Sequence, residues 1–184
     1  MPLKTTTSDT PPAVKTTTMD TPLGLIRLYA EAGSMVGIDF PGHDSGWPQG
    51  AAADAADPAL AAAVRQLREY FAGGRTRFDL PLRPAGTPFQ QAVWDALGAI
   101  PFGATCSYGE IAAAVQRPRA SRAVGAANGR NTLPIVIPCH RVIGSNGSLT
   151  GYGDGMAIKR WLLDHEAACR FPKLELSGAR ASQT

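Results

Sequence analysis

The chain has 184 residues, 44% of them hydrophobic and only 18% charged, so it can bury a real core as one large domain or two small ones. Its net charge of +3 is compatible with nucleic acid but too weak to argue for it alone, and no apolar run reaches membrane-spanning length. Three cysteines without a CxxC pair argue against a disulfide framework and against zinc, and predict a reducing, cytoplasmic setting.

The N-terminus carries a short duplication, Lys4-Thr5-Thr6-Thr7-Ser8-Asp9-Thr10-Pro11 and Lys15-Thr16-Thr17-Thr18-Met19-Asp20-Thr21-Pro22. Such Thr/Pro-rich sequence buries too little surface to offset its ordering entropy, and it lacks the apolar core of a signal peptide. It predicts a mobile tail over 1–18, with Met19 left open as an alternative start. Leu23 to Ala30 and Met35 to Phe40 read as a hairpin around Glu31-Ala32-Gly33-Ser34. A Gly/Ala/Asp loop over 41–56 follows. Asp57 then caps a helix that opens on Pro58, carries Leu60, Val64, Leu67 and Phe71 on one face, and stops at Gly73-Gly74. Phe78, Leu80 and Leu82 alternate with polar residues as a third strand, and Pro81 suits a sheet edge.

Beyond Gly86 the chain turns helical. Thr87-Pro88-Phe89-Gln90 and Ser107-Tyr108-Gly109-Glu110 are capping boxes, each opening a helix. Gln116-Arg117-Pro118 ends the second of these. A third helix, over 120–128, presents small residues and Arg122. Two short helices joined by a tight turn form a helix-turn-helix pattern, although a helical hairpin packed for stability is the commoner origin of such a pattern. From Arg117 to Arg141 the charged side chains are all basic. A last helix over 156–166 places Ile158, Trp161 and Leu162 inward, and a polar tail covers 171–184. The predicted fold is α+β. A small N-terminal antiparallel sheet with one helix spans 19–85, and a mostly helical, winged-helix-like domain spans 86–170.

The run Ile135-Val136-Ile137-Pro138-Cys139-His140-Arg141-Val142-Ile143 holds the chemistry. Thiolate is the nucleophilic form, and the adjacent imidazole and guanidinium are groups that favour it. Adjacency makes a direct ring-to-sulfur bond awkward, so His140 is expected to act through a water, with Glu166 orienting it. Taken alone, a Cys-His pair is more often a buried thiol beside a surface imidazole. Gly151-Tyr152-Gly153-Asp154-Gly155 is a weak motif that suits a pocket wall.

Together, Pro138-Cys139-His140-Arg141-Val142, Ser107-Tyr108-Gly109-Glu110, Arg122-Ala123-Val124-Gly125, Asn131 and Trp161-Leu162-Leu163 leading to His165-Glu166 resemble the O6-alkylguanine-DNA alkyltransferases, single-use DNA repair proteins. The resemblance runs from Met19 to about Glu166 and implies a ribonuclease H-like N-terminal sheet. It implies that Cys139 accepts an alkyl group from O6-alkylguanine in duplex DNA, with O4-alkylthymine left open. Glu166, His140 and a water would deprotonate the thiol. Asn131 would join the helix-turn-helix to the active-site segment, and Tyr108 would protonate guanine N3. Main-chain groups at Cys139, Val142 and Gly153 would hold the base edges, beside Tyr152. Arg122 would fill the gap left by the flipped nucleotide. Ala123, Ala126, Ala127, Asn128 and Lys159 would complete the DNA and base contacts, in the minor groove. The implied protein is a monomer, with cooperative assembly on DNA left open, and it needs no cofactor. Some members carry N-terminal Cys and His zinc ligands. Here the first cysteine is Cys106 and His43 stands alone, so no metal is expected. Asp154 departs from the pattern, either as a helix cap or as a charge that repels phosphate.

Three rivals weigh less. A non-catalytic lesion binder would have lost the nucleophile. A winged-helix regulator would carry base-reading side chains where Ala and Gly stand. A thiol hydrolase would need an oxyanion hole.

Overall fold

The computed structural model describes residues 13–43, 46–48 and 51–170. The first copy of the duplication, in 1–12, and the polar tail over 171–184 lie outside them. The second copy is not a tail. Lys15–Thr21 is strand β1, paired antiparallel with β2 (Gly24–Glu31) from Lys15–Ala30 to Thr21–Gly24. β-branched threonines suit a pleated, half-buried surface. Their low hydrophobicity is offset by partners distant in sequence: Met19 is buried, and Lys15 Nζ lies 3.1 Å from the Asp57 carboxylate. A chain begun at Met19 would lack the first half of this internal strand.

β3 (Ser34–Asp39) pairs antiparallel with β2 around the predicted turn, where Gly33 takes φ +77. The order is β3-β2-β1-β4, and the two-residue β4 (Ala52–Ala53), inside the predicted loop, runs parallel to β1. The predicted strand at Phe78–Leu82 is a single bridge, Leu82 to Met35. Pro81 has no N–H for a ladder, and the Gln66 amide occupies both main-chain groups of Asp79.

Helix α1 (Pro58–Phe71) has the predicted Asp57 cap, which accepts from the N–H groups of Ala59 and Leu60. Its buried stripe is Ala59, Leu60, Ala63, Gln66, Leu67 and Tyr70, so Val64 and Phe71 sit at its margin. Both capping boxes form, opening α2 (Pro88–Gly98) and α3 (Tyr108–Ala114). α4 (Ser121–Asn128) completes the helix-turn-helix, with Gln116 at φ +59 in the connection. The two-residue strands β5 (Cys106–Ser107) and β6 (Val142–Ile143) pair in parallel, and α5 runs from Met156 to Arg170. None of the described helices is long and apolar enough to cross a membrane.

One hydrophobic cluster crosses both halves, from Met19 to Leu162. Polar bonds stitch the seam. The Ile38 N–H donates to Thr132 O at 2.8 Å, and the Thr132 hydroxyl donates to Val36 O at 2.9 Å. The edge of the sheet therefore holds the chain just beyond Asn131.

Candidate active site

Cys139 opens a 3-10 turn (Cys139–Arg141) that follows Pro138. The approach is strained, since Ile135 is buried and β-branched yet holds φ +71. Asn131 fixes the segment. Its amide nitrogen donates to Ile137 O at 2.8 Å and to Cys139 Sγ at 3.0 Å, and its oxygen accepts from the Leu133 N–H at 3.0 Å. Cys139 is 3% exposed. Burial pushes its thiol up to about 11, against the Asn131 hydrogen bond and with the Asp154 charge adding to the rise.

That direction reverses the expectation of a thiolate made by its cationic neighbours, because the Arg141 charge is already used. Arg141 donates from Nε to Glu166 Oε2 and from a terminal nitrogen to Oε1, both at 2.9 Å. Its other terminal nitrogen donates to Ile100 O at 2.6 Å, and the guanidinium lies over the Phe102 ring. It is buried and no part of a basic surface.

His140 is fully buried, with Nε2 2.8 Å from Glu166 Oε1. Burial holds its imidazole below the usual histidine range. A carboxylate facing Nε2 fixes the tautomer with the proton there and leaves a lone pair on Nδ1. That Nδ1 is buried and has no hydrogen-bond partner among the described residues. Glu166 also accepts from the Gly103 N–H and from the Tyr70 hydroxyl, each at 2.9 Å. Burial alone would raise this carboxyl, but the hydrogen bonds from His140 and Arg141 outweigh it and hold it at about 2.

A cleft of ≈ 480 Å³ is lined by Tyr108, Ser121, Arg122, Gly125, Gly129 and the segment Thr150–Gly153, and its Tyr152 lies close to Cys139. The Tyr108 hydroxyl donates to Thr150 O at 3.0 Å, and burial raises its phenol, keeping it protonated. Gly125 of α4 faces that ring, where a Cβ would make an ordinary contact at 3.7 Å from Tyr108 Cε1. On the outer face Arg122, Ala123 and Ala126 are exposed, with Arg117, Arg119 and Arg130 flanking them.

Several expected DNA contacts lie elsewhere. Ala127 is buried, and its carbonyl accepts from Trp94 Nε1 at 2.9 Å. Asn128 is buried and donates to Cys139 O at 3.3 Å. Lys159 is buried, its Nζ donating to Val142 O at 2.6 Å and Thr150 O at 2.9 Å. The Asn128 and Lys159 side chains hold main-chain carbonyls in place rather than reaching the surface. Val142 is buried, so only its backbone can serve the cleft. The Tyr152 hydroxyl is buried close to Cys139 and Asp154, and burial first, then Cys139, pushes it well above the usual phenol range.

His43 Nδ1 lies 3.5 Å from Asp154 Oδ1. The Asp154 side chain is only 10% exposed. Burial raises its carboxyl, while His43 opposes that. Arg141, expected to favour the thiolate, pairs with Glu166 instead, and Tyr70 is a site residue that the motifs do not contain. The signals were a charged residue inside an apolar run, and a tyrosine on the buried stripe of α1.

A helix-turn-helix beside a buried thiol with an imidazole–carboxylate relay defines a DNA-directed cysteine acceptor. Residues 88–168 match the DNA binding domain model of 6-O-methylguanine DNA methyltransferase, and residues 14–84 match its ribonuclease-like domain model. The methylated-DNA–protein-cysteine methyltransferase of Methanosarcina acetivorans is 57% identical over 107 residues, 58% of this chain and 69% of that protein. The constitutive enzyme of Bacillus subtilis is 61% identical over 110 residues, 59% of this chain and 67% of its own. The crystal structure of Mycobacterium tuberculosis O6-methylguanine methyltransferase superposes with a TM-score of 0.78 at 44% identity, covering 84% of this chain and 93% of that one. A DNA complex of the same organism's protein gives 0.77 at 46% identity, covering 84% and 94%. The chain belongs to the 6-O-methylguanine DNA methyltransferase family.

Proposed function

We propose that this chain repairs DNA by direct reversal, moving the alkyl group of O6-alkylguanine irreversibly onto Cys139. The observation that carries the reading is His140: Nε2 is tied to Glu166, and the free Nδ1 is buried one residue from the sulfur. A thiol with a value of about 11 needs such a base at neutral pH. A water bridging Nδ1 and Sγ passes the thiol proton to His140. Sulfur attacks the alkyl carbon in line, the S–C bond forms as the C–O6 bond breaks, and the electron pair leaves on the purine. Tyr108 supplies a proton at guanine N3. The product thioether is not reversed by thiol exchange, so each molecule acts once.

The sulfur is buried, so the base must leave the stack to reach it. Arg122 stands at the cleft mouth to fill the gap. The small exposed residues of α4 carry no base-reading side chain and suit close approach to the minor groove, with binding that is salt-sensitive and largely independent of sequence. The protein acts as a monomer in the cytoplasm, where its three free cysteines stay reduced. Residues 13–85 and 86–170 serve as its two domains, with the thiol in the second.

Intact-mass analysis after incubation with a duplex carrying one O6-methylguanine tests this. The expected result is a single added methyl group on Cys139, saturating at one equivalent. Continued turnover, or an unmodified Cys139, refutes it. A separate prediction concerns Arg122→Ala. Duplex repair should slow about 100-fold, the scale of the few kcal/mol of unstacking that Arg122 offsets, while reaction with free O6-benzylguanine stays within about two-fold. Equal losses on both substrates would remove Arg122 from base flipping.

A further inference from the structure

Tyr70 reaches the carboxylate of the relay from the other half of the molecule. It is the penultimate residue of α1 and fully buried, with its ring among Phe71, Phe78, Phe102 and His165. His165 Nε2 donates to its main-chain carbonyl at 2.9 Å and anchors the helix end. The Tyr70 hydroxyl meets Glu166 Oε1 at 2.9 Å, the same oxygen that His140 Nε2 meets at 2.8 Å.

We propose that Tyr70 is a positioning residue for alkyl transfer, through which the N-terminal half sets how strongly Glu166 pulls on the His140 N–H. The inference rests on Cys139, His140 and Glu166 acting as proposed above. A carboxylate oxygen shares its electron density among its donors, so each added donor weakens the others. With Tyr70 in place, Glu166 orients His140 without over-stabilising the imidazolium. His140 then keeps its Nδ1 lone pair, and with it the capacity to act as base, into mildly acidic solution. Arg141 and Lys159 act on His140 in the same direction. Among the described residues, the other titratable groups around the relay are Cys139, with Tyr108, Tyr152 and Asp154 beside it, and, beside Tyr70, His165 and Cys169. Tyr70→Phe leaves the side chains of all of them in place.

Tyr70→Phe keeps the ring and deletes the donor. Single-turnover methyl transfer from an O6-methylguanine duplex to the full chain is followed from about pH 5.5 to 8.5. The variant is expected to react about five- to ten-fold more slowly at the acid end and within about two-fold of the natural protein at the alkaline end, with DNA affinity unchanged. Incorporating 3-fluorotyrosine at position 70 strengthens the donor and should move the acid limb the other way. Phe71→Leu loosens the packing on the rings of Tyr70, Trp161 and His165 while keeping every donor to Glu166, and it should leave the limb where it is. Parallel pH profiles for the Tyr70→Phe variant and the natural protein overturn the proposal, whatever their relative height, as does a fluorotyrosine shift in the same direction as that of Phe. Absence of methyl on Cys139 in the natural protein would instead sink the assigned function.

Discussion

Cys139→Ala takes up no alkyl group and keeps its grip on the lesion-bearing duplex. The sulfur is the one nucleophile held by Asn131 at 3.0 Å beside a free imidazole lone pair. Losing a positioned nucleophile forfeits effective concentration as well as chemistry, so the expected loss is about 10⁴-fold or more. In the proposed reading the DNA contacts belong to α4, whose Arg122, Ala123 and Ala126 face outward, so affinity should stay within about two-fold. The fold should lose only about 1 kcal/mol, because Asn131 keeps Ile137 O as an acceptor. Cys106 and Cys169 provide an internal control: both are half-buried free thiols, and neither has the Asn131–His140–Glu166 setting. Quenched-flow repair assays, intact mass and a binding titration check all three parts. Methyl transfer to Cys106 or Cys169 in the variant would show that the pocket is dispensable.

Glu166→Gln should cost both stability and rate. The carboxylate accepts from five groups, those of Tyr70, Gly103, His140 and two nitrogens of Arg141. A glutamine offers one acceptor oxygen and turns an N–H₂ toward donors on the other side. It also strips the buried Arg141 of its counter-charge, which costs about 3–5 kcal/mol. Removing the charge behind a catalytic histidine lowers the rate by about 10³–10⁴-fold on the scale set by serine proteases. Linkage adds a pH signature. The folded carboxyl lies at about 2, below its ordinary 4.5, so its contribution is full above about 4.5 and is lost as pH falls toward 2. It amounts to about 3 kcal/mol. His140 is lowered by burial and contributes in the same sense, its share fading as pH falls below the ordinary histidine value of 6.5. Urea unfolding at neutral pH and near pH 3 should therefore show a larger gap in the natural protein than in the variant, where only the His140 share remains. An equal gap in both would assign acid unfolding to other groups.

Local chemistry made much of the fold legible. The two capping boxes and the Asp57–Pro58 start depend on residues two to three positions apart, and all three form. The hairpin at Gly33 is local in the same way. The reactive segment was legible because Cys139, His140 and Glu166 stand in a distinctive order. Errors arose wherever a partner lay far along the chain. Lys15 to Thr18 has the composition of a tail, yet it becomes an internal strand because β2 and β4 flank it. Phe78 to Leu82 alternates like a strand, but it makes one bridge because Gln66 claims the backbone of Asp79.

The sequence by itself determined the nucleophile, the helix starts and the exposed small face of α4, because each follows from residue type and short spacing. Only the tertiary structure decided what the charges do. Arg141 and Lys159 look basic and surface-bound in one dimension. Folding buries them against Glu166 and against the carbonyls of Val142 and Thr150, because a buried charge is tolerable only where partners converge on it from other elements. The same convergence brings Tyr70 of α1 onto Glu166, 96 residues away in sequence, and makes the sheet half part of the reactive centre.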